Sequence, residues 1–112
     1  GSVISYGNSV KDHLLGVPKE MIQAHGVVSE EVVRTMAESV KKVIGTDYAI
    51  ATSGIAGPAG GSPEKPVGTV WIAWATPQGT YAECFHLGKL REQVTDRACT
   101  KALVRLIQLL RE

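Results

Sequence analysis

The sequence predicts an α/β fold, a three-layer α/β/α sandwich on a mixed sheet. Short apolar segments alternate with longer segments of helical periodicity, which is the pattern of strands and helices packed in layers. Two of the apolar segments, residues 48–52 and 70–75, are nonpolar on both faces, as strands covered on two sides are. The predicted order is β-α-α-α-β-loop-β-β-α. Because four strands are few for a three-layer fold, we expect an N-terminal strand to be missing from this chain.

The first half of the chain contains one predicted strand and three predicted helices. Residues 1–6 form the first strand, and a helix follows that ends at Gly16. A second, short helix has Pro18 in its first turn, where proline is favoured. Ser29 is a suitable N-cap for a third helix over residues 30–44, whose apolar side chains recur at helical spacing. Because helices separate the first two strands, we expect those strands to pair in parallel through a crossover.

The second half of the chain predicts a hairpin and a long helix. Residues 70–75 form a buried strand, a turn follows at residues 76–79, and residues 80–87 form a more polar strand. A final helix covers residues 91–110. We expect it to pack on the sheet through one apolar stripe, formed by Val94, Ala98, Ala102, Leu103, Leu106, Ile107 and Leu110.

Size and composition indicate one domain over residues 1–112, incomplete at its N-terminus. Hydrophobic residues make up 44% and charged residues 21% of the chain, as in ordinary globular proteins. The formal net charge of +1 gives no field that would recruit nucleic acid or an acidic membrane. Cys84 and Cys99 are too few for a disulfide framework or a zinc site, so we expect both to be buried thiols. We predict a cytoplasmic protein.

Residues 53–69 form the most distinctive segment of the sequence. This segment holds five of the 12 glycines and three of the 5 prolines, and it lies between two apolar strands. It has no Walker or Gly-x-Gly-x-x-Gly pattern, so a generic cradle of backbone amides for an anion or a carbonyl remains. Ser53 adds a hydroxyl at the strand end, and Gly54 and Gly57 allow close approach of the backbone. The alternative is a rigid surface connection, although loops of this length are usually functional or disordered.

Three side chains outside this segment are candidates for chemistry. Tyr6 ends a strand and Lys11 lies one turn into the next helix, so both can face one cleft. A lysine shielded from water can act as a general base, and a phenol can relay the proton. From the residues alone, an exposed lysine and a half-buried tyrosine are the commoner outcome. Arg91, at the start of the last helix, can reach an anionic ligand or simply be solvated. The 3 histidines are spread out, and we expect no metal site.

Four motifs and one lysine together resemble the C-terminal domain family of the competence-damage-inducible protein CinA. They are Val-Ile-Ser-Tyr-Gly-Asn at 3–8 with Lys11, His-Gly-Val-Val-Ser-Glu at 25–30, Ser-Gly-Ile-Ala-Gly-Pro at 53–58 and Gly-Ser-Pro-Glu-Lys-Pro-Val-Gly-Thr-Val-Trp at 61–71. Stand-alone members of that family are nicotinamide mononucleotide deamidases. The resemblance covers almost the whole chain and implies an α/β/α sandwich on a mixed sheet.

The resemblance also implies an activity, namely hydrolysis of the carboxamide of nicotinamide mononucleotide to nicotinate mononucleotide and ammonia. The implied mechanism is of the Ser–Lys type and uses no cofactor and no metal. Tyr6 and Lys11 fall on the catalytic tyrosine and lysine positions of the family. The implied substrate-binding residues are Ser53, Gly54, Gly57 and Arg91. The Arg91 match is looser, because Gly-Lys-Leu-Arg at 88–91 replaces a shorter Gly-Asp-Arg pattern.

The implied partners are a small pyridine nucleotide and a second copy of the chain, with a dimer favoured. Neither nucleic acid nor a membrane is expected. The sequence departs from the family at the nucleophile, which lies in a Glu-Ser-Cys-Thr-Gly-Gly-like stretch before the first strand. This sequence has no such stretch. We therefore expect the intact protein to be an amidohydrolase and this fragment alone to be inactive. The alternatives are a non-catalytic pyridine-nucleotide-binding or regulatory module and a structural domain whose Gly-rich segment only connects strands.

Overall fold

Three helices and three strands follow one another in the part of the chain that the computed structural model describes, which comprises residues 1–2, 15–55, 57, 60–63 and 65–111. They are α1 (Lys19–His25), α2 (Glu30–Ile44), β1 (Ala49–Gly54), β2 (Thr69–Thr76), β3 (Gly79–His86) and α3 (Arg91–Leu110). The predicted first strand and first helix lie almost wholly outside the described residues, and so does the parallel crossover that they would form.

The described strands form one antiparallel sheet in the order β1-β2-β3. Ala73 of β2 pairs with Ala51 of β1 on one side and with Ala82 of β3 on the other. β2 is almost wholly buried, as its apolar sequence predicts. β1 extends to Gly54 and is less covered than predicted, since only Ala51 in it is buried. The β1–β2 pairing makes residues 55–68, here named the Gly-rich loop, the connection of a hairpin.

Helices cover both faces of the sheet, so the predicted three-layer α/β/α sandwich is confirmed. α2 packs on one face through a core that contains Leu15, Val17, Val32, Val33, Met36, Ala37, Ala51, Ala73 and Ala75. α1 has no buried residue and packs the half-buried Met21 and Ile22 against this core. α3 packs on the other face through a core that contains Val70, Ile72, Trp74, Leu87, Val94, Ala102 and Leu109. Residues of β2 alternate between the two cores because successive strand side chains point to opposite faces. No described helix is both long enough and apolar enough to cross a bilayer.

Local capping sets the ends of the first two helices. Ser29 is the predicted N-cap of α2, and its hydroxyl accepts a hydrogen bond from the backbone N–H of Val32 (3.4 Å). Gly45 ends α2 with a left-handed φ of 78°. Pro18 is the N-cap of α1 and not part of its first turn, because its ψ of 145° is extended. The short segment between α1 and α2, residues 26–29, is here named the α1–α2 turn.

α3 has the predicted bounds and packs through part of the predicted stripe, because the core on that face includes Val94 and Ala102 and is contacted by Ala98 and Leu106. Its buried residues are Val94, Ala102 and Leu109. Three members of the predicted stripe are instead 49–57% exposed, namely Leu103, Ile107 and Leu110. The carbonyl of Ala102 accepts a hydrogen bond from the indole Nε1 of Trp74 (3.0 Å), and this bond joins the buried face of the helix to β2. Cys99 is exposed, so the expectation that it is a buried thiol is wrong.

The two tryptophans of β2 allow a matched test of this packing. Trp74 is 1% exposed, whereas Trp71 lies on the other face and is only partly buried. We expect Trp74→Phe to lower the free energy of unfolding by about 1–3 kcal/mol, because it removes both buried volume and the hydrogen bond to Ala102. Trp71→Phe should cost clearly less. Urea denaturation of both variants checks this, and equal losses would show that the Trp74 bond contributes nothing.

Candidate functional site

Two backbone hydrogen bonds close the base of the Gly-rich loop where it joins the sheet. The N–H of Ile55 donates to the carbonyl of Thr69 (2.9 Å), and the N–H of Gly68 donates to the carbonyl of Ile55 (2.7 Å). Farther out, the N–H of Ser62 donates to the carbonyl of Lys65 (2.9 Å), and the N–H of Lys65 donates to the Ser62 hydroxyl (3.1 Å). The loop is therefore held at its base and at an inner turn.

Two glycines of this region are needed for packing within the protein. Gly68 has a φ of +93°, and a Cβ on it would overlap the carbonyl oxygen of Gly88. Gly57 has a φ of +90°, and a Cβ there would lie 2.5 Å from Cγ1 of Val67 and 3.1 Å from the carbonyl oxygen of Lys89. The sequence predicts that these glycines allow close approach of a ligand. The structure shows that these positions are already required by the close packing of the loop against residues 67–68 and 88–89.

Ser53 and Lys65 connect this end of the sheet to the neighbourhood of the α1–α2 turn. The hydroxyl of Ser53, in β1, donates a hydrogen bond to the carbonyl of Val27 (3.1 Å). The ammonium Nζ of Lys65 donates to the carbonyl of His25, the last residue of α1 (2.9 Å). Ser29 holds the turn itself, because its hydroxyl donates to the carbonyl of Gly26 (2.8 Å). Lys65 lies in one of the quoted motifs, but nothing in the sequence indicates its contact with His25.

Arg91 reaches the Gly-rich loop from the opposite face of the sheet. It is the first residue of α3, and its guanidinium Nη1 donates to the carbonyl of Gly57 (3.3 Å). Arg97, one and a half turns later, donates from Nη1 to the carbonyl of Leu87 (2.9 Å) and holds the segment against which Gly68 packs. Arg97 was also missed by the sequence analysis, because nothing in the sequence pairs it with Leu87.

The structure thus brings four of the six predicted site residues to one end of the sheet. They are Ser53, Gly54, Gly57 and Arg91. The two predicted catalytic residues, Tyr6 and Lys11, lie outside the described residues, and their roles stay predictions. The chain that follows Lys11 is anchored where the description resumes, because Leu15 is 2% and Val17 is 0% exposed.

The arrangement offers hydrogen-bond donors and positive charge for a small polar ligand. Arg91 uses one of the five N–H groups of its guanidinium on Gly57, and the planar group can donate others to an anion. The backbone amides of the loop and the Ser53 hydroxyl add neutral polar groups. Elsewhere in the described residues, Cys84 is half-buried and not fully buried as expected, and desolvation by this burial raises the pKa of its thiol. The described residues contain no group of three or more metal-ligand side chains.

The fold and this region define a class of domain, an α/β/α sandwich with a Gly-rich hairpin connection tied to both helical layers. Within that class, the CinA C-terminal domain family matches residues 1–110, and the chain belongs to this family. A CinA-like protein of Gemmatimonas aurantiaca is 52% identical over 106 residues, which are 95% of this chain and 25% of that protein. A CinA-like protein of Anaeromyxobacter sp. (strain K) is 46% identical over 101 residues, covering 90% and 25% respectively.

Solved structures agree with this assignment. The competence or damage-inducible protein from Enterobacter asburiae superposes with a TM-score of 0.89 at 31% identity, over 95% of this chain and 67% of that one. The competence-damaged protein (CinA) superfamily protein from Enterobacter cloacae has a TM-score of 0.89 at 32% identity, over 95% and 63%. The chain therefore spans about a quarter of the length of these curated relatives and about two thirds of the solved chains.

Proposed function

We propose that the full-length protein hydrolyses the carboxamide of nicotinamide mononucleotide to give nicotinate mononucleotide and ammonia. The observation that carries the proposal is the contact of Arg91 with Gly57, three residues beyond the end of β1 that holds Ser53 and Gly54, because Gly57 and Arg91 are 34 residues apart in sequence. These are the positions at which the CinA resemblance implies contacts with substrate. Membership of the CinA family supports the proposal further.

The proposed chemistry divides amide hydrolysis into two acyl transfers. A serine oxygen attacks the carboxamide carbon, the amine of Lys11 takes the hydroxyl proton, and that proton leaves with the nitrogen as ammonia. Water then attacks the resulting ester, which releases the carboxylate and restores the serine. Tyr6 assists proton movement through its phenol. The resemblance places this serine in a stretch that the present sequence does not contain, so the proposal concerns the full-length protein.

The described residues have binding roles in this scheme. Arg91 sits where the positive end of the α3 dipole adds to its own charge, so it suits the phosphate of the nucleotide. Ser53 and the amides of the Gly-rich loop suit neutral polar groups such as the ribose hydroxyls or the carboxamide. The proposed partner is accordingly a small pyridine nucleotide. The dimer and the cytoplasmic location stay predictions.

A non-catalytic module that binds a pyridine nucleotide is the second candidate. It is favoured by one observation, the contact of Arg91 with Gly57, because such a contact shapes a binding site and needs no nucleophile. Both candidates predict that nicotinamide mononucleotide stabilises the protein, by about 2.7 kcal/mol at a hundredfold excess over Kd. Only the amidohydrolase releases ammonia from it.

Thermal unfolding and ammonia release, measured together on the full-length protein, separate these functions. Nicotinamide riboside, which lacks the phosphate, is the matched control ligand. The amidohydrolase proposal predicts stabilisation and ammonia with the mononucleotide, and weaker effects of both kinds with the riboside. Stabilisation without ammonia would support the binding module. If neither ligand has any effect, both candidates are wrong.

A further inference from the structure

Lys65 makes a long-range contact that holds the Gly-rich loop from one side. Its ammonium donates to the carbonyl of His25 over 2.9 Å, and the two residues are 40 positions apart in sequence. The carbonyls of the last helical turn have no partner within the helix, so a cation that reaches one of them is well placed. The backbone of Lys65 is fixed as well, because its N–H and carbonyl both bond to Ser62.

The glycine that follows α1 leaves space for the contact between Lys65 and His25. Gly26 follows His25 with a φ of +83°, and a Cβ on Gly26 would lie 2.9 Å from the Lys65 ammonium. The adjoining α1–α2 turn is firmly held, because Ser29 is 5% exposed, caps α2 and donates to the Gly26 carbonyl. Lys65 therefore bonds to the end of a helix that leads directly into a rigid turn.

On the far side, Arg91 holds the same loop through Gly57, as described above. The Gly-rich loop is thus tied by one cation to the layer of α1 and α2 and by another to α3. The two ties differ in the role that the resemblance implies for each cation. The resemblance implies that Arg91 contacts substrate, whereas Lys65 is assigned no such contact and bonds to the helix end that faces the loop.

We propose that Lys65 is a positioning residue that ties the Gly-rich loop to the C-terminal end of α1. By this contact it fixes the distance between the substrate-binding loop and α1. α1 in turn follows the buried residues Leu15 and Val17, which belong to the core on that face of the sheet. The proposal rests on the proposed function for its catalytic consequence, but not for the tie itself.

The test compares three variants of the full-length protein. Lys65→Met keeps the length of the side chain and removes its donors, whereas Lys65→Arg keeps a donor. Lys42→Met is the matched control, because Lys42 is an exposed lysine in the last turn of α2. Amide hydrogen exchange of residues 55–68 is measured without substrate. Steady-state kinetics are then measured with nicotinamide mononucleotide.

We expect Lys65→Met to speed exchange in residues 55–68 by about tenfold, with α2 and β2 unchanged and Lys65→Arg close to the unmodified protein. Unchanged exchange in residues 55–68, or faster exchange throughout the chain, would contradict the proposal that Lys65 holds the loop.

In the kinetic measurement, we expect Lys65→Met to raise KM about fivefold with little change in kcat, because a looser loop weakens ground-state binding. Faster exchange in the loop with an unchanged KM would contradict the claim that the Lys65 contact supports substrate binding.

Failure of the proposed function gives a different result. If the full-length protein releases no ammonia, no steady-state rate can be measured for any variant, including Lys42→Met. Amide hydrogen exchange of residues 55–68 still shows whether Lys65 holds the loop.

Discussion

A Gly68→Ala variant is expected to lose about 3–5 kcal/mol of its free energy of unfolding. Gly68 has a φ of +93°, a conformation that side chains with a Cβ rarely adopt, and its added Cβ would overlap the carbonyl oxygen of Gly88. Both the φ angle of Gly68 and the carbonyl of Gly88 belong to the backbone, so no rotation of a side chain relieves the strain. The N–H of Leu87 also donates to the carbonyl of Gly68 (2.9 Å), and any shift that relieves the overlap weakens this bond.

Gly60→Ala is the matched control for this prediction. Gly60 has nearly the same φ, +99°, but the nearest atom to an added Cβ is Cγ2 of Ile55 at 3.7 Å. The two variants therefore share the cost of a left-handed alanine, about 1–2 kcal/mol, and differ in the overlap. Urea denaturation of the 112-residue chain measures both. Equal losses would show that the approach of Gly68 to Gly88 is looser than the structure indicates.

Removing the proposed base should have the largest effect on activity. We expect Lys11→Ala in the full-length protein to lower kcat for ammonia release by about 10³-fold, within the range that general-base catalysis contributes. Lys11→Arg should not restore activity, because a guanidinium stays protonated and cannot accept the serine proton. The measurement is initial ammonia release from saturating nicotinamide mononucleotide.

Lys19→Ala is the control for this experiment, because Lys19 is an exposed lysine at the start of α1. It should leave kcat unchanged. Full activity of Lys11→Ala, or rescue by Lys11→Arg, would contradict the role assigned to Lys11. Loss of activity with unfolding would be recognised by thermal denaturation of the same samples.

Elements whose ends carry local chemical signals could be predicted from the sequence. Ser29 and Gly45 bracket α2, and both act as predicted because their roles depend on the adjacent backbone alone. The bounds of α3 were also correct. Its buried face was correct only in part, because Leu103 and Ile107 are as apolar as their buried neighbours and yet are exposed. Periodicity reports which residues are apolar, whereas the contact of Trp74 with the helix decides which of them are covered.

The candidate site could be predicted only where it depends on a local pattern in the sequence. Ser53 and Gly57 stand out because a Gly-rich segment between two strands is a local pattern. Its contacts with Arg91 and with His25 are tertiary, and no spacing in the sequence encodes them. Lys65 was missed because a long, flexible side chain reaches a backbone carbonyl, and a carbonyl has no sequence signature.

The central claim is that the full-length protein converts a carboxamide into a carboxylate. The most direct measurement follows ammonia and nicotinate mononucleotide together while the protein is incubated with nicotinamide mononucleotide. The account predicts that the two products appear in equal amounts, at a rate proportional to protein concentration. Recovery of the nucleotide intact, under conditions where it raises the thermal stability of the protein, would contradict it.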